Sequence, residues 1–345
     1  MKLALVLFHY FPYGGLERDM LAIARQAVSR GHQVTVFTAA WEGERPEGME
    51  VVLLPVRGLG NHVQVRRFAA RFAEAMQVFR PDCVFGFNRM PGLNFYFAAD
   101  TCYARKVDEQ RGWLYRQLPR CRQYLAFEEA VYGQTSTTRI LALTPAQISD
   151  FQRYYGTPAE RFHLLPPGIR RDRVMPADYA ARRLALRSAF GLDADQRVLL
   201  MVGSNFQRKG LDRAIAALAA LPGELRAGLQ LWVAGKGERG PFEQLAQDLG
   251  VAEQVKILGA RDDVPELLWT ADLLLHPAYS EAAGAVLIEA MVAGLPVVTT
   301  AVCGYAPWIE NAGMGRVVAE CVPERMPGPA DAAALAAAIT EVLEV

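Results

Sequence analysis

Short apolar runs alternate with amphipathic stretches along almost the whole chain. In the first half, residues 3–8, 34–38, 51–56, 83–87, 140–143 and 162–165 read as strands buried on both faces. Between them, segments such as 16–30 and 63–79 carry apolar residues at helical spacing. Pro166-Pro167-Gly168 interrupts the pattern, as suits a hinge. A second series of strand-like runs follows at 198–202, 229–234, 255–258, 273–276 and 297–300, each trailed by a helix-like segment. The alanine-rich stretch 330–338 also reads as helix. Strand–helix alternation predicts parallel sheets covered on both faces. The expected architecture is α/β: two Rossmann-like doubly wound parallel-sheet domains, 1–167 and 168–345, facing across a cleft. Ligands of open α/β sheets bind outside the carboxyl ends of the strands, so the informative residues should lie just after strands.

Composition narrows the picture. A length of 345 residues suits two domains at roughly 100–200 residues each. With 52% apolar and 21% charged residues, the chain can build two cores with little disorder. Lys and Arg (37) balance Asp and Glu (37), which argues against a whole-molecule polyanion binder, and no nucleic-acid partner is expected. The five cysteines, Cys83, Cys102, Cys121, Cys303 and Cys321, are dispersed and form no CxxC pair. That argues against a disulfide framework or a zinc site and for a reduced, cytoplasmic protein. The first apolar run ends in His9-Tyr10 with no small-residue cleavage site, so no signal peptide is expected. The longest apolar stretch, 282–303, contains Glu289, Gly294 and Pro296, and reads as a buried helix–turn–strand in place of a membrane span.

Three loops carry candidate chemistry. Tyr13-Gly14-Gly15-Leu16-Glu17-Arg18-Asp19 follows the first strand and opens a helix. Two glycines there allow a ligand close to the backbone, and a helix N-terminus favours an anion. A tight turn and nothing more is the alternative. The loop is not GxGxxG, which leaves a nicotinamide cofactor with weak support. After the 198–202 strand, Arg208 and Lys209 stand before the helical segment 211–221. Cations at a helix N-terminus oppose its dipole, so an anionic ligand explains them better than local stability does, with solvated surface charge as the alternative. After the 273–276 strand comes Tyr279-Ser280-Glu281-Ala282-Ala283-Gly284, whose small residues are expected to start a helix and offer amides to a diphosphate. Glu289 is the sole charge on that helix and needs a partner, either ribose hydroxyls or an arginine from elsewhere. Asp193-Ala194-Asp195 has the DxD spacing of metal-dependent sugar transferases but precedes its strand, at the wrong end of the sheet; it reads as a solvated turn, and no metal is expected.

Glu281 and Glu289 have the E-x7-E spacing of family 4 retaining glycosyltransferases, which have the GT-B fold, and Gly14-Gly15 and Arg208-Lys209 complete that pattern in order. Longer runs, including Met90-Pro91-Gly92-Leu93, Tyr96-Phe97-Ala98-Ala99-Asp100, Leu165-Pro166-Pro167-Gly168-Ile169 and Asp272-Leu273-Leu274-Leu275-His276-Pro277-Ala278-Tyr279, resemble the lipopolysaccharide core glucosyltransferases of that family. The resemblance spans the first strand to about residue 320. It implies a UDP-sugar donor, no metal or other cofactor, and retention of configuration. Carried over residue by residue, it puts Gly15 against the donor phosphate or sugar, with Arg173, Arg208 and Lys209 neutralising the diphosphate. Arg261 sits where the uracil is held. Glu281 would hold sugar hydroxyls, the amides of Ala282, Ala283 and Gly284 the diphosphate, and Glu289 the ribose. Asp19 and Asp100 line the sugar side. Asp100 is the candidate for orienting the acceptor hydroxyl, or else a helix N-cap.

Residues 103–132 interleave Arg105, Lys106, Arg111, Arg116, Arg120 and Arg122 with Trp113, Tyr115, Tyr124, Phe127 and Tyr132. Basic residues among aromatics suit an anionic membrane surface, and an ordinary amphipathic helical pair is the alternative. The resemblance implies a lipopolysaccharide inner-core heptose as acceptor and a peripheral place on the inner face of the inner membrane. Three other readings stay open: a family 4 transferase using UDP-N-acetylhexosamine or another UDP-sugar on a different glycolipid, a UDP-sugar epimerase on the same fold, and a non-catalytic sugar-nucleotide binding module.

Overall fold

The structure is a computed structural model that describes residues 1–12, 14–319 and 329–344. It divides into two compact units, Met1–Pro166 and Pro167–Val345.

In the first unit, strands β1 (Lys2–Val6), β3 (Gln33–Thr38), β5 (Glu50–Leu53), β6 (Cys83–Gly86), β7 (Phe95–Ala98), β8 (Arg139–Ala142) and β9 (Phe162–Leu164) form one parallel sheet. Their order is β5-β3-β1-β6-β7-β8-β9. A side ladder pairs β2 (His9–Tyr10) with β4 (Ala40–Trp41), whose rings stack at 3.7 Å. Helices α1 (Gly15–Ser29), α2 (Asn61–Phe79), α3 (Tyr103–Gln110), α4 (Trp113–Arg116), α5 (Pro119–Tyr132) and α6 (Pro145–Tyr155) cover it. The apolar runs are continuous because the sheet is covered on both faces. Ala4 and Val6 pack with Phe72 and Tyr96 on one side, and Leu5 and Leu7 with Met20 and Val36 on the other.

The second unit has strands β10 (Arg197–Val202), β11 (Leu229–Ala234), β12 (Val255–Gly259), β13 (Leu273–His276), β14 (Val297–Thr300) and β15 (Gly315–Val318), also parallel, in the order β12-β11-β10-β13-β14-β15. Its helices are α7 (Tyr179–Ala189), α8 (Phe206–Lys209), α9 (Leu211–Ala220), α10 (Gly223–Ala227), α11 (Gly240–Asp248), α12 (Val264–Thr270), α13 (Ala285–Val292), α14 (Ala306–Ala312) and α15 (Pro329–Glu344). The alanine-rich end is helical as expected, and Leu335 and Ile339 of α15 join the core formed around β10 and α9. Cys321 lies outside the described residues.

Several local expectations are corrected. The run 51–56 is a strand only to Leu53, because Pro55 has no N–H to continue the ladder. Residues 315–318 were not expected as a strand; β15 is a short edge strand opened by glycine. Ala282, Ala283 and Gly284 do not start a helix: α13 begins at Ala285, and Gly284 is its N-cap at φ 86°, a conformation that favours glycine. Arg208 and Lys209 do not open the following helix either. They end the one-turn α8, which Gly210 closes at φ 77°. There the dipole favours cations, so the electrostatic argument from helix position no longer points to a ligand.

Candidate functional site

Both sheets have a topological switch point where the strand order reverses, between β10 and β13 in the second unit and between β1 and β6 in the first. In the second unit the loops leaving β10 and β13 carry Arg208, Lys209 and Glu281. Gly210 lets them meet: a side chain there would collide with the Pro277 carbonyl. The Tyr279 N–H donates to the Arg208 carbonyl at 2.9 Å, and the Arg208 guanidinium donates to the Ser280 carbonyl at 3.2 Å. From below, the fully buried Arg213 lies 3.6 Å from the Tyr279 ring centroid and donates to the carbonyls of Pro277 and Ala278.

These contacts deliver the Glu281 carboxylate between two cations and a buried imidazole. Lys209 pairs with it directly, the Arg208 guanidinium is 3.7 Å away and His276 Nε2 is 3.6 Å away. Burial pushes the Glu281 carboxyl up. His276, Lys209 and Arg208 together outweigh that and hold it well below the usual carboxylate range. Burial also lowers His276, against the opposing pull of Glu281. His276 was missed from the sequence. Its signal was available: a polar residue ending the apolar strand Leu273-Leu274-Leu275 at its carboxyl edge.

Behind this cluster, Glu289 of α13 finds its partner within the chain. Arg173 Nε lies 3.6 Å from its carboxylate, and both side chains are buried. The arginine alternative for Glu289 is thus the one the structure shows. Arg261 is in the loop after β12, held by Asp263. Asp193 and Asp195 occupy an exposed turn before β10, at the amino end of that strand. Among the described residues, no three His, Cys, Asp or Glu side chains cluster closely enough to hold a metal ion.

In the first unit, Gly14 is the N-cap of α1 and Gly15 its first residue. A side chain at 14 would press on the end of the Glu17 side chain, which would have to shift; at 15 a side chain would meet nothing. Asp19 is exposed on α1. Glu17, not singled out from the sequence, is 6% exposed, and burial raises its carboxyl to about 7. Arg18 and Asp19 act on it with opposite signs. A carboxyl near 7 in the folded chain, against an ordinary 4.5, holds its proton more tightly folded than unfolded. The penalty is absent below pH 4.5, grows between pH 4.5 and 7, and is complete above. Glu17→Gln is therefore expected to stabilise the first unit by about 2 kcal/mol at pH 8 and hardly at all at pH 4.5. Denaturant unfolding at the two pH values reads this; an equal effect at both would refute it.

Asp100 lies beyond β7. It is not a helix cap: Cys102 is the N-cap of α3, its sulfur accepting from the Arg105 N–H at 3.5 Å. Asp100 is instead 53% exposed and 3.6 Å from Arg89, which pairs in turn with the fully buried Glu128. Glu128 also accepts from the N–H groups of Tyr103 and Ala104, both at 2.8 Å, and from the Tyr155 hydroxyl at 2.7 Å. Arg89 and Asp100 face a cavity of about 260 Å³ with Phe8, Asn88, Tyr103 and Tyr124, beside the switch point of this sheet. Aromatic faces with a few converging polar groups suit a sugar.

The basic stretch 103–132 forms α3, α4 and α5. Much of its charge is neutralised locally: Arg105 pairs with Glu109 and Asp150, and Arg116 with Asp108. Arg122 donates to Gln117, Arg120 lies 5.8 Å from the Tyr124 ring centroid and Arg111 5.4 Å from that of Tyr115. Trp113, Leu114 and Leu118 are exposed. No described helix is long and apolar enough to cross a membrane.

Comparison with known proteins agrees with this geometry. Residues 13–173 match the family model "Glycosyltransferase Family 4", and residues 183–344 match "Glycosyl transferases group 1". The chain is 48% identical over 320 residues to the lipopolysaccharide glucosyltransferase WaaG of Escherichia coli K12, covering 93% of this chain and 86% of the relative. The crystal structure of a WaaG, a glycosyltransferase involved in lipopolysaccharide biosynthesis, superposes with a TM-score of 0.94 at 45% identity, over 99% of this chain and 90% of that one. Anabaena Alr3699/HepE, solved with UDP-glucose, shares the fold at a TM-score of 0.71 and 18% identity, over 100% of this chain and 97% of its own. The chain belongs to the family 4 glycosyltransferases, with two Rossmann-like domains of the GT-B fold, in the WaaG-type group that acts in lipopolysaccharide biosynthesis.

Proposed function

We propose that the protein is a retaining hexosyltransferase that moves glucose from UDP-glucose to an inner-core heptose of lipopolysaccharide at the inner face of the inner membrane, without a metal. The observation that carries the donor half is the convergence of Lys209, Arg208 and His276 on Glu281 at the switch point of the second sheet. A diphosphate arriving there meets two cations already fixed in place, with the amides of Ala282, Ala283 and Gly284 alongside. Preorganised positive charge stabilises the negative charge that develops on departing UDP. Glu281, relieved of its cations, is then free to accept from sugar hydroxyls. Glu289 would exchange Arg173 for the ribose, releasing that guanidinium toward the phosphates, and Arg261 would hold the uracil. The open space over Gly15 supports a ligand against that turn.

On the acceptor side, the cavity holding Asp100 and Arg89 supports a sugar whose hydroxyl Asp100 orients. Front-face attack, with the leaving phosphate accepting the proton, needs no protein base. A double displacement would call on Asp19, Asp100 or Glu281. Exposed Trp113, Leu114 and Leu118 between Arg111 and Arg120 support contact with an anionic membrane surface. The test is a panel of UDP-sugars, with and without a heptose acceptor and with EDTA, read by UDP release. UDP-glucose should give acceptor-dependent turnover that EDTA leaves intact. Indifference to every UDP-sugar would end the proposal; sugar interconversion without acceptor would mark an epimerase.

A further inference from the structure

A second charged site lies in the first unit, on a different flank of α2 from the Asp100 cavity. Val65 and Phe68 of that helix line the Asp100 cavity, whereas Arg67, Ala70 and Arg71 line an open groove of about 640 Å³ together with Pro55, Val56 and Arg57 of the loop after β5. At 100° per residue, these two sets of positions point away from each other.

The charge of this groove is unbalanced. Between Glu50 and Glu74 the chain has four arginines, Arg57, Arg66, Arg67 and Arg71, and no acidic residue, although the whole chain is neutral. Elsewhere in this unit Arg89, Arg105 and Arg116 reach carboxylates, while Arg80 and Arg161 donate to backbone carbonyls. Here the guanidiniums turn to backbone: Arg67 donates to the Arg57 carbonyl, and Arg71 to the Pro55 carbonyl. A carbonyl fixes the position of a guanidinium without neutralising it, and a planar guanidinium has five N–H donors. Most of those donors therefore stay available on two arginines whose positions are set, and Arg57 adds a third charge. Such a cluster matches the bidentate geometry of a phosphate.

We propose that Arg57, Arg67 and Arg71 form an anion site that binds a phosphate ester, separate from the diphosphate site of the second unit. The phosphate can come from a soluble or acceptor-borne phosphomonoester or from a lipid headgroup. In the bound state the free N–H groups of Arg67 and Arg71 grip two phosphate oxygens, while their bonds to the loop carbonyls keep residues 55–57 in place.

The test uses the full chain and the double variant Arg67→Ala/Arg71→Ala. The replaced side chains are exposed, so the variant should melt within a degree or two of the wild type. Probes are glycerol phosphate, followed by NMR, and vesicles of phosphatidylcholine with or without phosphatidylglycerol, followed by flotation. Wild type should bind at least one phosphate probe in a salt-sensitive way, and the double variant at least fivefold more weakly. Loss confined to glycerol phosphate assigns a soluble or acceptor-borne ester. Loss confined to anionic vesicles assigns a headgroup. Equal binding of every probe by the two proteins, or no binding by either, overturns the proposal. UDP binding, measured in parallel, should be unchanged by the double substitution, so failure of the donor assignment is read separately.

Discussion

Glu281→Gln is expected to lower turnover about a thousandfold, roughly 4 kcal/mol in the transition state, while leaving UDP binding equal or tighter. The two halves of this result have one cause. The carboxylate neutralises Lys209 and Arg208. Glutamine keeps the shape and a carbonyl acceptor but removes the charge, so the freed cations offer an incoming diphosphate a stronger field. What is lost is the charged acceptor that positions the sugar while the bond to UDP breaks. UDP affinity by calorimetry and turnover by UDP release separate the effects. A variant with normal turnover would remove Glu281 from the site. One with both turnover and UDP affinity abolished would recast it as a purely structural buttress of the loop.

Glu128→Ala is expected to cost the first unit about 3–5 kcal/mol of stability, the largest structural effect in that unit. One fully buried carboxylate holds Arg89, two amides at the start of α3 and the Tyr155 hydroxyl. Alanine would leave three donors without their acceptor and Arg89 with only Asp100 and the Thr101 carbonyl, and a buried polar group without a partner loses its full hydration. Glu128→Gln should cost less, because an amide oxygen still accepts one or two of these bonds. The midpoint of denaturant unfolding reads both variants, and a wild-type midpoint for Glu128→Ala would show the network to be dispensable. Since Arg89 also reaches Asp100, the glutamine variant should raise the KM for acceptor more than that for donor.

The double-wound architecture was legible because parallel strands covered on both faces must be written as continuous apolar runs. The runs at 229–234, 273–276 and 297–300 coincide with β11, β13 and β14 to the residue. Chemistry placed just after strands was legible for the same reason: the carboxyl ends of such a sheet are where loops converge. Glu17 and Glu128 were not legible. One reads as an ordinary first-turn acid and the other as tempering charge in a basic stretch, and only packing shows that each is buried.

From the sequence alone came the strand–helix alternation, the placing of chemistry just after strands, and the family pattern from Gly14 to Glu289. Tertiary structure decided which charge meets which: that Arg173 answers Glu289, that Glu281 gathers Lys209, Arg208 and His276, and that Arg67 and Arg71 donate to backbone carbonyls. The physical reason is range. Burial patterns repeat every two to four residues and can be read locally. Among the described residues, ion pairs join positions as far apart as Arg173 and Glu289 or Arg213 and Asp331, and nothing in the spacing of charges along a chain records which of them folding brings within 4 Å.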